Sequence, residues 1–235
     1  MIPKKIHYCW FGRNEKSDLA KKCIASWKKY CPDYEIIEWN EDNFNLDYNE
    51  YTRYCYDNKK WAFLSDYVRL CVVAENGGIY FDTDVELIKK PDELLIYEAY
   101  YGFENDSNVA TGLGFGAVKN HPTILSMKAE YEKLEKNEDG SFPLVVCPEL
   151  NTKALIPFGL KLDGTRQNVG GAEILPWDFF NPYDDPTGRL NKTENTVSVH
   201  WYSKSWMSKK TILRSKIMKP LHRIFGVDAF ARFRK

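Results

Sequence analysis

Residues 60–84 read KWAFLSDYVRLCVVAENGGIYFDTD, and this stretch decides the fold. From residue 60 to 76 the apolar side chains recur at helical spacing and form a wide stripe, which predicts the strongest helix of the chain. The glycine pair 77–78 ends that helix, with one glycine expected in the left-handed C-terminal cap. Residues 79–81 then predict a buried strand that stops at Asp82-Thr83-Asp84. This order of elements is typical of an α/β sheet.

The segments on either side extend the same α/β pattern. Residues 5–10 predict a first strand that ends at Phe11-Gly12, Ser17 caps a helix to about residue 30, and residues 34–39 predict a second strand. Residues 40–58 are polar and predict loop or short helix. Further strands are expected at 100–103, 113–118, 173–175 and 196–200, and further helices at 122–136 and 148–156. We see no internal repeat and no clear linker.

The bulk composition fits one folded domain with a tail. The chain has 235 residues, of which 43% are hydrophobic, 28% charged and 15% aromatic. The six cysteines lack a C-x-x-C pair, which favours a reducing compartment without structural disulfides. The N-terminus has no apolar signal region and no stretch reaches 18 apolar residues, so we expect a cytoplasmic protein, or one at the inner face of a membrane.

Charge is distributed unevenly along the chain. Residues 201–235 hold ten Lys or Arg and one acid, so this tail carries +9, and the rest carries −9 because the formal net charge is zero. A solvated helix face is one interpretation. Peripheral attachment to an anionic membrane is the other, because apolar residues interleave with the charges. Nucleic acid is not an expected partner, since the acidic remainder opposes it.

The acidic pair Asp82 and Asp84 is the first candidate site. At a strand end the backbone turns, so both carboxylates can reach one cation beyond the sheet edge. With no basic residue expected nearby, a divalent cation relieves their repulsion. Such triplets also mark solvated turns, but this one follows an apolar strand and a glycine pair.

A second candidate is the charged pair in the strongest helix. Asp66 and Arg69 lie three residues apart and therefore on one face. A surface ion pair is one interpretation. However, apolar neighbours bracket both residues, and a charged pair in a buried helix can hold a polar ligand such as sugar hydroxyls.

Two further segments offer candidate ligands. His200 ends a predicted strand among hydroxyls, a lysine and two tryptophans, and its imidazole would favour Mn²⁺ over Mg²⁺ in a carboxylate site. Lys204 can neutralise a diphosphate. Trp10 is either a core aromatic or, beside Gly12, a platform for a flat base.

These segments occur in the order found in a known family. The chain resembles glycosyltransferase family 32, the group with a DXD sugar-binding region that includes capsular polysaccharide and mannosyl transferases, and it is similar to the glucosyltransferase domains of large clostridial toxins. The motifs that carry the resemblance are IPKKIHYCWFG at 2–12, AFLSDYVR at 62–69, GGIYFDTD at 77–84, and His200 with Ser205-Trp206.

The resemblance implies a GT-A fold, that is, a Rossmann-like mixed sheet flanked by helices, over residues 1–206. Residues 207–235 match nothing in the family, and their charge and apolar pattern predict a basic amphipathic helical tail. The resemblance also implies a retaining glycosyltransferase that uses Mn²⁺ or Mg²⁺. We expect a nucleotide diphosphate hexose as the donor, UDP-hexose first and GDP-mannose second. A glycan or lipid-linked oligosaccharide of surface polysaccharide synthesis is the expected acceptor.

The resemblance also implies roles for individual residues. Trp10 would stack on the nucleobase, and Asp66 and Arg69 would hold sugar hydroxyls. Tyr80 and Asp82 would contact the ribose and the metal. The catalytic set would be Asp66, Arg69, Asp82 and Asp84; the metal ligands Asp82, Asp84 and His200; and the contacts over the diphosphate Lys204, Ser205 and Trp206. An Asn that relatives often carry on the strand matching 110–117 is absent here.

Two other function classes fit parts of the pattern. A glycoside hydrolase would also show acids and aromatics, although it needs neither nucleotide nor metal. A non-catalytic carbohydrate-binding module would bind glycan alone. The position of the D-x-D triplet argues against the first, and the set of Asp66, Arg69 and Asp84 is more polar than the second requires.

Overall fold

The computed structural model describes residues 1–204 and 207–227. The helices in these ranges are α1 (Asp18–Tyr30), α2 (Glu50–Asp57), α3 (Trp61–Asn76), α4 (Pro122–Glu132), α5 (Cys147–Leu155) and α6 (Lys209–Phe225). The strands are β1 (Lys5–Cys9), β2 (Glu35–Trp39), β3 (Gly78–Tyr80), β4 (Val85–Leu87), β5 (Ala99–Asn105), β6 (Asn108–Val109), β7 (Phe115–Ala117), β8 (Gln167–Val169), β9 (Ala172–Leu175), β10 (Tyr183–Asp184), β11 (Arg189–Leu190) and β12 (Ser198–His200).

A central mixed sheet organises the molecule. Its strand order is β2-β1-β3-β7-β5-β9-β8, with β6 paired to β5. Strand β1 is parallel to both β2 and β3, whereas β7 runs antiparallel to β3 and β5. This arrangement confirms the predicted α/β class with a mixed sheet flanked by helices.

Each face of the sheet has its own apolar core. Neighbouring strand residues point to opposite faces, so Ile79 packs with α1 on one side and Tyr80 with α3 on the other. Helix α3 is buried along most of its length, from Leu64 to Ala74. Its position against β1 and β3 brings the polar residues of α3 to the carboxyl edge of the sheet.

The predicted starts of two helices are confirmed. Ser17 caps α1 by accepting a hydrogen bond from the backbone N–H of Ala20, and Pro122 opens α4. All six cysteines are buried and free. None of the helices in the described residues is long and apolar enough to cross a membrane.

Two local predictions were wrong. Gly77 has a φ of 65° and a ψ of 174°, a positive-φ conformation that is essentially restricted to glycine but is not the left-handed helical cap that was predicted. Helix α4 ends at Glu132 instead of near residue 136. Residues 133–136 contain a single apolar side chain, Leu134, so too little apolar surface is available to hold another turn against the core.

Candidate active site at the carboxyl edge of the sheet

A cavity of about 740 Å³ opens where β1 and β3 end. Because these two strands are parallel, the residues that follow them meet at one edge of the sheet. Trp10 and Gly12 follow β1, while Asp82 and Asp84 follow β3. The cavity is lined by seven of the predicted residues with described positions: Trp10, Asp66, Arg69, Asp82, Asp84, His200 and Lys204.

Asp84 is buried at the base of this cavity and is firmly held. One carboxylate oxygen, Oδ2, accepts a hydrogen bond from the backbone N–H of Ser203 at 2.8 Å, and the other, Oδ1, lies 3.2 Å from His200 Nε2. Burial alone would raise the pKa of Asp84, but the adjacent imidazole and the bond from Ser203 hold it well below its ordinary value. Asp84 is therefore a carboxylate at neutral pH.

Strand pairing brings His200 to the acidic pair. Strands β12 and β4 are antiparallel, with His200 opposite Val85, the residue after Asp84. Ligand atoms of Asp82, Asp84 and His200 lie within 4.8 Å of one another. The pKa of His200 is lowered by burial but raised more by Asp84, so the net shift is upward. The three groups form a candidate metal centre.

Arg69 lies between two carboxylates. Its Nη2 is 2.6 Å from Asp66 Oδ1 and donates to both oxygens of Asp82, at 3.0 and 3.2 Å. Only 3% of the Arg69 side chain is exposed. The expectation that no basic residue lies near the acidic pair was therefore wrong, because helix α3 delivers a cation thirteen residues earlier in the chain. The interpretation of Asp66 and Arg69 as a surface pair was also wrong.

The two acids beside Arg69 resist ionisation. Burial raises the pKa of Asp66 to about 6, although Arg69 opposes the shift. Burial likewise raises the pKa of Asp82, again against Arg69. Burial would lower the pKa of Arg69, but Asp82 and Asp66 raise it further above its ordinary value. The guanidinium thus stays charged and keeps both carboxylates oriented.

The structure places Tyr80 beneath Asp82. Its hydroxyl donates to Asp82 Oδ1 at 3.1 Å, its ring lies 5.1 Å from the Arg69 guanidinium, and its side chain is buried. In this position Tyr80 orients Asp82. A contact with a ribose stays a prediction.

The segment 110–117, which lacks the Asn that relatives often carry, contacts Arg69 and Asp82 through Thr111 and Gly112. Thr111 is buried and donates its hydroxyl proton to Asn151 Oδ1 at 2.9 Å, while Arg69 Nη1 donates to the same hydroxyl at 3.4 Å. A Cβ at Gly112 would come within 2.8 Å of Asp82 Oδ2. Because Gly112 has no side chain, the Asp82 carboxylate can occupy this space.

Trp10 and Lys204 both line the cavity and both have protein partners. Trp10 Nε1 donates to the backbone oxygen of Asn14 at 2.7 Å, which holds the indole at the cavity wall. Lys204 Nζ lies 2.5 Å from Asp185 Oδ2 and donates to Ser215 Oγ at 3.0 Å. Their roles with base and diphosphate stay predictions, and Ser205 and Trp206 lie outside the described residues.

The sequence analysis missed several cavity residues. Glu104 on β5 lines the cavity and accepts a hydrogen bond from the Tyr202 hydroxyl at 3.3 Å. Cys147, at the start of α5, receives a long contact of 3.6 Å from Arg69 Nη1. No local motif marks Glu104 or Cys147. Tyr202 and Ser203 also line the cavity. The signal that could have identified them is their position in the chain close to His200, a candidate metal ligand.

Comparison with known proteins agrees with this site. Residues 17–101 match the family model described as "Glycosyltransferase sugar-binding region containing DXD motif". The resemblance found in the sequence is confirmed. The matched segment contains Asp66, Arg69, Asp82 and Asp84, and it ends before His200.

A curated protein is similar to part of the chain. The chain is 28% identical to inositol phosphoceramide mannosyltransferase 3 of Schizosaccharomyces pombe (strain 972 / ATCC 24843) over 137 residues, which are 54% of this chain and 36% of that protein. The chain thus spans about a third of the length of this relative.

The solved structure of PaToxG glycosyltransferase gives a TM-score of 0.50 at 22% identity, over 66% of this chain and 69% of that one. This likeness shows a shared fold of the GT-A type. A glycosyltransferase involved in the glycosylation of the major capsid of PBCV-1 gives 0.49 at 13% identity, over 91% of this chain and 98% of that one, which is too low to support an argument.

Proposed function

We propose that this chain is a metal-dependent, retaining glycosyltransferase that moves a hexose from a nucleoside diphosphate donor to a glycan or lipid-linked acceptor. The observation that carries the proposal is the convergence of Asp82, Asp84 and His200 in one cavity with the buried Asp66 and Arg69. To bind a nucleotide sugar, a protein must neutralise the charge of the diphosphate and recognise the sugar hydroxyls. In this cavity the candidate metal centre suits the first, and Asp66 with Arg69 suits the second.

The chemistry of the donor set fits a divalent cation. Asp84 is a carboxylate at neutral pH with Oδ1 directed at His200, and His200 Nδ1 is buried without a hydrogen-bond partner among the described residues. Two carboxylates and one imidazole suit Mn²⁺, with Mg²⁺ as the second candidate. A bound cation would supply positive charge to the departing diphosphate. Asp84 is expected to be the main ligand, because Asp82 already accepts from Arg69 and Tyr80.

Asp66 and Arg69 suit the sugar part of the donor. Asp66 accepts hydrogen bonds from hydroxyl groups and Arg69 donates to hydroxyl oxygens. Both side chains line the cavity and are fixed by each other, so they are held in position before a sugar arrives. Trp10 at the wall has a ring available to stack on the base.

The donor sugar has two candidates. UDP-hexose is the donor that we expect first from the sequence. The name of the fission-yeast relative is that of a mannosyltransferase, which supports GDP-mannose. A panel of nucleotide sugars separates them directly.

We expect transfer by same-face attack. The acceptor oxygen bonds to the anomeric carbon as the bond to the diphosphate breaks, and the leaving phosphate oxygen takes the acceptor proton. The carboxylates of Asp66 and Asp82 are both paired with Arg69, which makes them poor nucleophiles for a covalent intermediate. Pairing with a cation does not exclude Glu104 as a nucleophile, because its described hydrogen bond comes from a tyrosine hydroxyl and not from a cation.

A second cleft of about 520 Å³ suits the acceptor. It adjoins the donor cavity, since Glu104 and Tyr202 line both. Its walls combine aromatic rings with carboxylates and amides, the mixture that binds sugar faces and hydroxyls. The residues that supply these groups are Trp177, Asn181, Tyr183, Asp184 and Asp185. A surface polysaccharide precursor would fit such a cleft.

The test is donor hydrolysis by the purified protein. Nucleotide sugars, UDP-hexoses and GDP-mannose among them, are incubated with Mn²⁺, with Mg²⁺ and with a chelator, and the released nucleoside diphosphate is measured. We expect one donor to be hydrolysed only with metal, and Asp84→Ala to abolish the activity while the circular dichroism spectrum is unchanged.

Other outcomes would contradict the proposal. Metal-independent hydrolysis of a polysaccharide would indicate a glycoside hydrolase. Binding of glycan without binding of any nucleotide, measured by isothermal titration, would indicate a carbohydrate-binding module.

A further inference from the structure

The C-terminal helix α6 packs against the body of the protein through its polar side. Ser215 accepts a hydrogen bond from Lys204, Lys219 lies 3.1 Å from Asp185 Oδ1 and donates to the Tyr183 hydroxyl, and the His222 Nδ1 lies 3.1 Å from the backbone oxygen of Pro186. These contacts join α6 to the turn between β10 and β11. Surface helices of globular proteins usually do the opposite and bury an apolar stripe.

The outward side of α6 carries an apolar stripe. Leu213, Ile217 and Ile224 are 60%, 59% and 73% exposed. Their spacing of four and seven residues places them on one side of a helix that is roughly 25 Å long. A single exposed apolar side chain needs no explanation, but three that line one face of a helix indicate a contact surface.

Positive charge flanks the stripe. Lys210, Arg214 and Lys216 are exposed, and on a helical projection the first two lie on one side of the stripe and the third on the other. The sequence of α6 has no Asp or Glu, and Asp185, the acid that α6 contacts, is 17% exposed and paired with Lys204 and Lys219. The outward face is therefore apolar in the middle and cationic at both margins.

We propose that this outward face of α6 docks on an anionic lipid surface, with Leu213, Ile217 and Ile224 entering the headgroup region. A helix with this pattern lies in the plane of the interface, where the apolar stripe meets acyl chains and the cations meet lipid phosphates. A second copy of the chain fits less well, because like charges would oppose each other on both margins. Nucleic acid would give the stripe nothing to bury against.

The docking would bring the candidate site close to the lipid. Tyr183 and Asp185, which α6 contacts, also line the acceptor cleft. Lys204 connects α6 to the segment in which Ser203 holds Asp84. A lipid-linked acceptor would thus be presented beside the cleft, although the docking itself does not depend on the proposed activity.

The experiment is flotation of the full chain with vesicles of phosphatidylcholine alone or mixed with phosphatidylglycerol. We expect binding to the anionic vesicles only, and weaker binding as salt rises. The variant L213S/I217S/I224S should lose about tenfold or more in apparent affinity. The variant K210Q/R214Q/K216Q should lose on the order of 100-fold, since each cation near an anionic surface contributes about fivefold.

Matched controls remove the same groups elsewhere. The first control is I96S/I156S/L162S, in which all three side chains are exposed, and the second is K28Q/K161Q/K192Q, again at exposed positions. Both controls should bind anionic vesicles like the wild type. Each variant is checked by circular dichroism and by thermal unfolding.

Three results would overturn the proposal. One is equal binding to neutral and anionic vesicles, or none to either. Another is vesicle binding that the control variants reduce as much as the α6 variants. The third is a wild-type dimer in sedimentation that L213S/I217S/I224S converts to monomer, which would assign the stripe to a second copy.

Discussion

At the scale of the single residue, Arg69 determines the electrostatics of the site. It is nearly fully buried and forms ion pairs with Asp66 and Asp82, two largely buried carboxylates that would otherwise have no adjacent cation among the described residues. A lysine at this position has no second nitrogen to contact the Thr111 hydroxyl, as Arg69 Nη1 does while Nη2 holds the two carboxylates. The stability of this site and the donor recognition proposed above therefore involve the same side chain.

Replacing Arg69 by methionine should destabilise the fold strongly. Removing one partner of a buried ion pair leaves uncompensated charge, and we expect the free energy of unfolding to fall by about 3 kcal/mol. Urea denaturation measures this. The control is Arg53→Met, whose partner Asp47 is exposed, and this variant should unfold at nearly the wild-type urea concentration. Equal midpoints for both variants would contradict the account.

Glu104 distinguishes the two routes of retaining transfer. Same-face attack predicts that Glu104→Gln, an isosteric change, keeps most of the turnover rate, with an effect of less than about tenfold. A covalent route through this carboxylate would reduce the turnover by several orders of magnitude and leave donor binding intact. Steady-state kinetics with the donor found in the panel decides between them.

At the scale of the element, two contacts position the strand that follows Asp84. Trp27 on α1 donates its Nε1 proton to the backbone oxygen of Val85 at 2.8 Å, and Ser26 Oγ accepts from the N–H of Leu87 at 2.9 Å. Strand β12 pairs with the other edge of β4 and brings His200. Helix α1 and strand β12 therefore hold β4 between them.

Trp27→Phe tests the support from α1. The smaller ring leaves a cavity and removes the donor from a buried carbonyl, so we expect the free energy of unfolding to fall by about 2 kcal/mol and the metal affinity to weaken. Chemical denaturation and Mn²⁺ titration measure the two effects. Trp177→Phe, at a partly exposed tryptophan of the acceptor cleft, is the control. Unchanged stability in Trp27→Phe would refute the role given to α1.

Local patterns in the sequence predicted most of the elements. The stripe of α3, the Ser17 cap and the apolar run before Asp82 are signals within a few residues, and each led to an element of the right type. Strand β4 was missed because three residues give no periodicity to read. The proximity of His200 to Asp84 depends on a pairing between strands more than 100 residues apart, which propensity does not encode.

In the candidate site, too, residues in local motifs were predicted, whereas contacts between distant segments were not. Asp82, Asp84, Asp66 and Arg69 stand in motifs and were found. The ion pair between Arg69 and Asp82 was not expected, because the packing of α3 on β3 had to be known first. Glu104 was missed because its strand carries no motif.

At the scale of the whole molecule, the cavity is an acidic site in a largely acidic body. Residues 1–200 carry −9, and three of the carboxylates in this range, those of Asp66, Asp82 and Asp84, line the site. Such a cavity repels a nucleoside diphosphate unless positive charge is supplied. The charge of Arg69 is already paired with Asp66 and Asp82. A further cation is therefore required to neutralise the diphosphate.

The protonation of Asp66 gives a pH prediction. Its pKa is raised by burial to about 6, so the carboxylate is present above that pH and is lost as the pH falls through it. A carboxylate accepts stronger hydrogen bonds from sugar hydroxyls than the acid does. The affinity for nucleotide sugar relative to the free nucleoside diphosphate should therefore fall from about pH 7.5 to about pH 5.

The ratio of the two affinities serves as the internal control. Titration of His200 is expected to affect both ligands through the proposed metal centre, whereas the contact proposed for Asp66 is with the sugar alone. Isothermal titration with both ligands in the same buffers gives the ratio. A ratio that is constant over this range would show that Asp66 does not bind the sugar as a carboxylate.

The most direct test of the central claim is Mn²⁺ binding by electron paramagnetic resonance in the presence of nucleoside diphosphate. The wild type and Asp163→Asn, which changes an exposed carboxylate in a turn, should both bind one Mn²⁺ per chain. Asp84→Asn keeps the shape of the side chain but removes the charge, and it should lose this binding. Mn²⁺ binding by Asp84→Asn as tight as that of the wild type would contradict the account.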